Sequence, residues 1–344
     1  MRSSKVMHGL FAAVALAFLA GVASAQITIA TVPVGNPGNA PDTTGFGEVD
    51  YAYNIGEYDV TSSQYTAFLN AVAATDTYGV YNSAMNAPMY ATTSGNPGII
   101  QSGSSGSYTY SVTAGRGNYP VTDVTFWDAT RFANWLDNGQ PTGAEGAGTT
   151  ETGTYTLTSA GITNNTVTRN PGATWAVTSE NEWYKAAYYT PAGGTGRSNP
   201  NYWLYPTQSN TISTSQADYG QANSNNENPG GDTTPVGSYP YPGYYGTYDQ
   251  GGDVFQWNES IYYDGNNGSS AYGSDRGLRG GSFYFPDLYL QSGVSGLNDI
   301  YNPSDDWDYI GFRVSQVPEP ASLGFLAFGM VGLLARRRRS QEQI

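Results

Sequence analysis

Carboxylates are the side chains of this chain that have the chemistry for catalysis or for cation binding. Candidates are Asp218, Glu227, Asp249 and Asp287. Glycoside hydrolysis needs only two carboxylates, about 5 to 9.5 Å apart, so the composition leaves an enzyme of this kind open. Carboxylates also bind divalent cations such as Ca²⁺.

The chain lacks the side chains on which most other kinds of catalysis depend. The chain has no cysteine, and its one histidine, His8, lies near the amino terminus. Thiol nucleophiles, thiolate ligands and disulfides are therefore absent, and zinc hydrolysis and Ser-His-Asp triads have no histidine in the body of the chain.

The end of the chain has the residue order of a sorting tail. Val317–Pro320 (VPEP) precedes 15 uncharged residues, Ala321–Ala335, and then Arg336–Arg339. As a helix this stretch spans about 22 Å, less than about 30 Å of bilayer hydrocarbon, which favours transient membrane insertion. Residues 317–344 resemble the PEP-CTERM signal of Gram-negative bacteria. The resemblance implies a sorting protease of the exosortase type, and an ordinary single-pass anchor is the alternative.

The beginning of the chain is typical of a secretory signal. Residues 1–25 contain Arg2 and Lys5, an apolar run from Leu10 to Val22, and small residues before Gln26. We expect residues 26–316 to be exported to the cell surface, the outer membrane or the extracellular matrix.

The exported segment is strongly acidic. Removing Arg2, Lys5 and Arg336–Arg339 from 14 basic residues leaves 8, and removing Glu319 and Glu342 from 28 acidic residues leaves 26, a net charge near −18. Nucleic acid and anionic lipid are therefore not expected partners, whereas neutral polar ligands and divalent cations are.

Local patterns predict an α+β fold with much irregular structure. Three segments begin with helix-capping residues and continue with apolar residues at helical spacing. They start at Thr61 with Gln64, at Thr125, and at Ser179 with Glu182. Alternation over Tyr108–Val112 predicts a strand. The 44 glycines are typical of long loops around these elements.

Six sequence blocks resemble the formylglycine-generating enzymes, also called sulfatase-modifying factors. They are YDVTSSQYTAFL (58–69), PVTDVTFWDATRFANWL (120–136), WAVTSENEWYKAAY (175–188), GDVFQW (252–257), RGGSF (279–283) and GFR (311–313). Their order matches the family over nearly all of the exported segment. The resemblance implies one irregular, loop-rich α+β domain, residues 26–316, related to C-type lectins.

The resemblance does not extend to the family's reaction. Its oxidases hold copper with two cysteines that follow the block matched by Arg279–Phe283. In this chain Phe285 and Leu290 stand at those positions. Neither side chain coordinates copper, so we expect a non-catalytic member.

Calcium binding is the family property that we expect to persist. By the resemblance, the first site would use the Asp249 side chain, the Gly252 and Val254 carbonyls and the Gln256 side-chain oxygen. The second would use Asn223, the Ser224 carbonyl, Asn228 and the Gly230 carbonyl. The family has glutamate where this chain has Gln256, which removes one ligand charge. The simpler alternative is that these Asp and Asn side chains bond their own backbone as turn formers.

Two functions follow from these features. The first is a non-enzymatic surface or matrix protein that binds polysaccharide or another protein through a calcium-stabilised lectin-like domain. The tyrosines of Tyr239–Tyr248 (YPYPGYYGTY) offer rigid area for stacking on sugars, or they pack back onto the core. The alternative is an enzyme with carboxylate chemistry, such as a glycoside hydrolase.

Overall fold

The three predicted helices begin at their predicted caps. The computed structural model describes residues 26–86, 98–220, 231–262, 274–293 and 300–317. Helices α1 (Ser62–Val72), α2 (Phe126–Asp137) and α4 (Glu180–Tyr188) each start with a complete capping box. A further short helix, α3 (Ser159–Thr163), buries no side chain.

One antiparallel sheet joins the two ends of the described chain. Its strands are β1 (Thr31–Val34), β2 (Tyr53–Gly56), β5 (Trp175–Val177) and β10 (Val314–Gln316), in the order β1-β2-β10-β5. The last described strand therefore lies at the centre of the sheet, beside one of the first. Residues from both ends must be present for this sheet to form.

A second sheet carries two of the family blocks. Strands β6 (Phe255–Tyr262) and β7 (Asp275–Arg279) are antiparallel, β8 (Ile300–Tyr301) pairs with β7, and β9 (Ile310–Phe312) runs parallel to β6. A separate hairpin of β3 (Ile99–Ser102) and β4 (Thr109–Val112) confirms the predicted strand at 108–112.

Aromatic rings connect the helices to the second sheet. Phe68 of α1 lies 5.5 Å from Phe132 of α2, and Phe132 lies 5.4 Å from Phe312 of β9, measured between ring centroids. All three are fully buried. Edge-to-face contacts of this kind add to the free energy gained from burial of the rings.

Buried ion pairs fix α4 against the second sheet. Arg279 of β7 pairs with Glu180, and Arg169 bridges Glu182 and Glu259. Glu182 also completes the α4 capping box through the Ser179 backbone. Removing one partner of such a pair leaves a buried charge without compensation.

Between α4 and β6 the described residues form turns and isolated bridges rather than helices or strands. The fold is thus a loop-rich α+β domain, as predicted. Within the described ranges, no helix has the length and apolar character needed to cross a bilayer.

Candidate functional site

The two positions that match the family's cysteines lie in apolar packing. Leu290 ends a 3-10 helix, Asp287–Leu290, and is fully buried beside Tyr205 and Ala217. Phe285 is half-buried, with its ring centroid 5.2 Å from that of Phe255 and 5.0 Å from that of Tyr289. Hydrocarbon therefore occupies both positions.

The predicted calcium loop is a tight turn with three residues in left-handed conformation. These residues are Asp249 (φ 56°), Gly252 (φ 83°) and Asp253 (φ 61°). A Cβ atom on Gly252 would lie 2.0 Å from the Asp218 carbonyl oxygen, so only glycine fits this position. The turn brings Asp218, Asp249 and Asp253 to one cleft.

The sequence predicted that the Gln256 side-chain oxygen is a calcium ligand, but in the structure this oxygen makes other contacts. That oxygen accepts hydrogen bonds from Trp183 Nε1 at 2.6 Å and Arg313 Nε at 3.1 Å. Its amide nitrogen donates to the Asp249 carbonyl at 2.8 Å. Both acceptor positions of the oxygen are used, one by a guanidinium, so Gln256 is removed from the ligand set that we consider below.

Two carboxylate oxygens in the cleft have no hydrogen-bond partner. Asp253 is 2% exposed, and its Oδ1 accepts from the Thr234 backbone at 2.9 Å while its Oδ2 is unpaired. Asp218 Oδ2 is also unpaired, whereas Asp249 Oδ2 accepts from the Gly237 backbone at 2.6 Å. Buried acceptors without a donor are costly, and a bound cation would satisfy them.

The carboxylates of the cleft raise one another's pKa values. Burial, and then the charges of Asp232 and Asp249, raise the pKa of Asp218 to about 7. Burial, followed by Asp249 and Asp218, raises the pKa of Asp253 well above its usual range. Burial also raises the pKa of Asp249, and the Gly237 hydrogen bond opposes this shift. The cleft therefore favours protons or a cation in place of free negative charge.

The size of the cleft limits what it can hold. Its free volume is about 10 Å³, which is room for about one water-sized sphere. A sugar ring does not fit in this space, so the cleft does not have the size of a glycosidase active site. Within the described ranges, no three or more histidine, cysteine, aspartate or glutamate side chains form a group that could hold a metal ion. Any ion here needs carbonyl, amide or water oxygens as well.

The remaining predicted residues have other positions. Asn223, Ser224, Asn228 and Gly230, the second calcium set, lie outside the described residues, as does Glu227. Asp287 accepts a hydrogen bond from Tyr205 at 3.2 Å.

The tyrosine run at 239–248 contains both exposed rings and rings that pack against other residues of the domain. Tyr241 and Tyr244 are 42% and 44% exposed, whereas Tyr248 stacks on Tyr58 with 5.4 Å between ring centroids. Tyr239 and Tyr241 line the acidic cleft.

The structure contains a row of three near-parallel aromatic rings that the sequence did not predict, one exposed, one half-buried and one buried. The rings of Trp307 and Tyr309 have centroids 5.9 Å apart and planes 5° apart. Tyr284 adds a third ring, 6.4 Å from Tyr309 with planes 13° apart. We call Trp307, Tyr309 and Tyr284 the aromatic row. The sequence signal that could have indicated it is a tryptophan flanked by aspartates, Asp-Asp-Trp-Asp at 305–308.

The fold described above is that of a loop-rich α+β domain of the sulfatase-modifying factor type. The sequence model of the sulfatase-modifying factor enzyme 1-like domain matches residues 40–317. The chain belongs to this family. A second model, the PEP-CTERM protein-sorting motif, matches residues 316–339. This motif is an export signal of Gram-negative bacteria and implies processing by an exosortase-type system.

Several solved structures are similar to this chain at low sequence identity. Treponema denticola variable protein 1 has a TM-score of 0.51 and 19% identity, over 86% of this chain and 97% of that one. CarF has a TM-score of 0.49 and 20% identity, over 85% and 99%. PvdO from Pseudomonas aeruginosa has a TM-score of 0.44 and 20% identity, over 84% and 92%. No curated protein matches the chain.

Proposed function

We propose that this chain is a non-enzymatic binding protein of the bacterial surface or extracellular matrix, and that its ligand is a polysaccharide or another surface protein. The supporting observation is the packing of Phe285 and Leu290 at the positions of the family's copper ligands. A fold kept without its reactive groups, in an exported and strongly acidic chain, fits binding better than turnover.

Calcium is the cofactor that we propose for the domain. The Asp249 carboxylate would hold it, and the Gly252 and Val254 carbonyls, other backbone oxygens and water would complete six to eight oxygens. The orphaned oxygens of Asp253 and Asp218 support a cation in this cleft. Bound calcium would remove the repulsion among the carboxylates and so stabilise the loop before β6.

Export and sorting belong to the same proposal. Residues 1–25 would be removed as a signal peptide, and residues 317–344 would insert transiently in the membrane before a sorting protease acts. The domain of residues 26–316 would then remain at the surface, on the outer membrane or in the matrix.

A glycan-array screen of the purified protein, with calcium and with a chelator, tests the proposed function. We expect binding to a restricted set of glycans that weakens when calcium is removed. The same spots, assayed for new reducing ends, test the alternative of glycoside hydrolysis. Release of reducing ends above that of a no-protein control contradicts the non-enzymatic assignment.

A further inference from the structure

The aromatic row exposes apolar surface on a structured loop. Trp307 is 50% exposed, Tyr284 is half-buried, and Tyr309 is 7% exposed. Tyr309 anchors the row because its ring packs on Phe285 and Phe255 of the core. Half of the large Trp307 ring is therefore in contact with water on an ordered loop, and a ligand that covers this ring gains free energy from its burial.

Backbone hydrogen bonds fix the Trp307 loop to the segment before α2 and to the start of β9. The Phe126 N–H, at the start of α2, donates to the Pro303 carbonyl at 3.1 Å. The Asp123 N–H donates to the Trp307 carbonyl at 3.2 Å, and the Ile310 N–H donates to the same oxygen at 3.0 Å. The loop is thus ordered before a ligand arrives, which lowers the entropy cost of binding.

The surroundings of the row are acidic. The described segment 300–309, which contains Trp307 and Tyr309, has three aspartates and no lysine or arginine. Asp306 and Asp308 flank Trp307, and the buried Asp123 lies beneath it. Burial, followed by the charges of Asp308 and Asp306, raises the pKa of Asp123 to about 7, and a hydrogen bond from Thr122 opposes this shift. This shift indicates that the three carboxyl groups are close enough to interact.

From this combination we propose that the aromatic row binds an amine-bearing polysaccharide. The inference rests on the proposed binding function and adds the surface and the ligand class. The apolar faces of sugar rings stack on the exposed aromatic rings. The protonated amino groups pair with Asp306 and Asp308 and are attracted to the face of Trp307. An anionic polymer is repelled by the same aspartates and by the net charge of the exported segment.

The test compares two ligands, a hexamer of β-linked glucosamine and its fully N-acetylated form. Each is titrated into the protein by calorimetry at a pH below about 7.7, so that the free amino groups are protonated. We expect the amine form to bind at least about tenfold more tightly, with an affinity that falls as salt rises. Equal affinity for the two forms overturns the proposed ligand class.

Trp307→Ala tests the location of the site. We expect it to weaken binding of the amine hexamer by about tenfold or more, while Trp307→Phe keeps most of the affinity because it keeps a ring. Tyr78→Ala is the matched control, since Tyr78 is 45% exposed and lies outside both the aromatic row and the tyrosine run at 239–248. Loss of binding in Tyr78→Ala with none in Trp307→Ala overturns the assignment of the site.

Asp306→Asn tests the contribution of charge. We expect weaker binding of the amine hexamer and a smaller salt dependence, whereas the exposed Glu48→Gln leaves both unchanged. If the protein binds other glycans on the array but Trp307→Ala affects none of them, the aromatic row is rejected and the proposed function stands. If it binds no glycan at all, both the row and polysaccharide binding are rejected.

Discussion

At the scale of single residues, Phe285 and Leu290 are the basis of the proposed non-enzymatic function. Both follow the Gly280–Gly281 turn, where a Cβ atom on Gly281 would lie 2.5 Å from Leu290 Cδ1. The Leu290 side chain therefore fills space next to the backbone of the turn. Substitution by a copper ligand would leave this space partly empty as well as changing the chemistry.

Leu290→Ala tests this packing directly. We expect a loss of about 2 to 5 kcal/mol in the free energy of unfolding, because a fully buried leucine leaves a cavity. Urea denaturation measures the loss. Leu288→Ala is the matched control in the same short helix, since Leu288 is 51% exposed, and we expect a change within about 0.5 kcal/mol. Equal losses in the two variants contradict the packing described here.

At the scale of elements, the sequence was most informative where interactions are local. The caps of α1, α2 and α4 were predictable because Thr61, Thr125 and Ser179 bond to residues only three positions away. Pairing of strands from opposite ends of the chain was not predictable, because strands distant in sequence carry no local pattern that names their partner. The α+β class was therefore predicted, but the order of the strands was not.

In the candidate sites, too, local features were predictable from the sequence and contacts between distant residues were not. The turn at Asp249–Asp253 was predictable from its glycines, but the orientation of Gln256 depends on Trp183 and Arg313, which are 73 and 57 residues away in sequence. The aromatic row likewise joins Tyr284 to Trp307 and Tyr309 across a long separation. Side-chain partners of this kind are fixed by tertiary packing, which local patterns do not contain.

Calcium is expected to stabilise the loop before β6. Extracellular calcium modules have dissociation constants of about 0.1 to 1 mM, and a tenfold excess over such a value adds about 1.4 kcal/mol. The expected result is a melting temperature raised by a few degrees. Differential scanning calorimetry measures it, with Asp249→Ala abolishing most of the shift and the exposed Asp50→Ala as control. No shift with calcium, or an equal shift with magnesium, contradicts the assignment.

At the scale of the whole molecule, acidic residues buried in the fold make its stability depend on pH. Burial raises the pKa of Asp123 to about 7, of Glu145 to about 7 and of Asp128 to about 6. Each binds its proton more tightly in the folded state, so its stabilising effect is complete below the unfolded pKa and is lost as pH rises through these values. Glu182 acts oppositely. Burial alone would raise its pKa, but Arg169 holds it at about 2, so this stabilisation is lost as pH falls towards 2.

We therefore expect the free energy of unfolding, measured with a calcium chelator, to be highest near about pH 4, where the unfolded carboxyl groups begin to ionise, and to fall from there towards pH 8. Glu145→Gln should flatten the fall, because it removes one group that must ionise, and Glu48→Gln should not. Stability that rises steadily from pH 5 to 8 is incompatible with these pKa shifts.

The sorting tail predicts the form of the protein found outside the cell. Mass spectrometry of the surface pool should find a carboxyl terminus near Pro318 and no peptide from Ala321 onward. A variant with Arg336–Arg339 changed to alanine should accumulate uncleaved, because the positive stop that orients the segment is lost. Intact arginines on most of the wild-type pool indicate a permanent anchor instead.

The central proposal is that the domain binds a ligand without catalysing a reaction, and it rests on the apolar packing of Phe285 and Leu290. The most direct measurement is a mass-spectrometric assay of the purified protein with copper, a reductant and a cysteine-containing sulfatase peptide. The account predicts no formylglycine, and none for Phe285→Cys, because one thiolate does not make the two-thiolate copper site. Formylglycine above a no-protein control, from the wild-type protein, would contradict it.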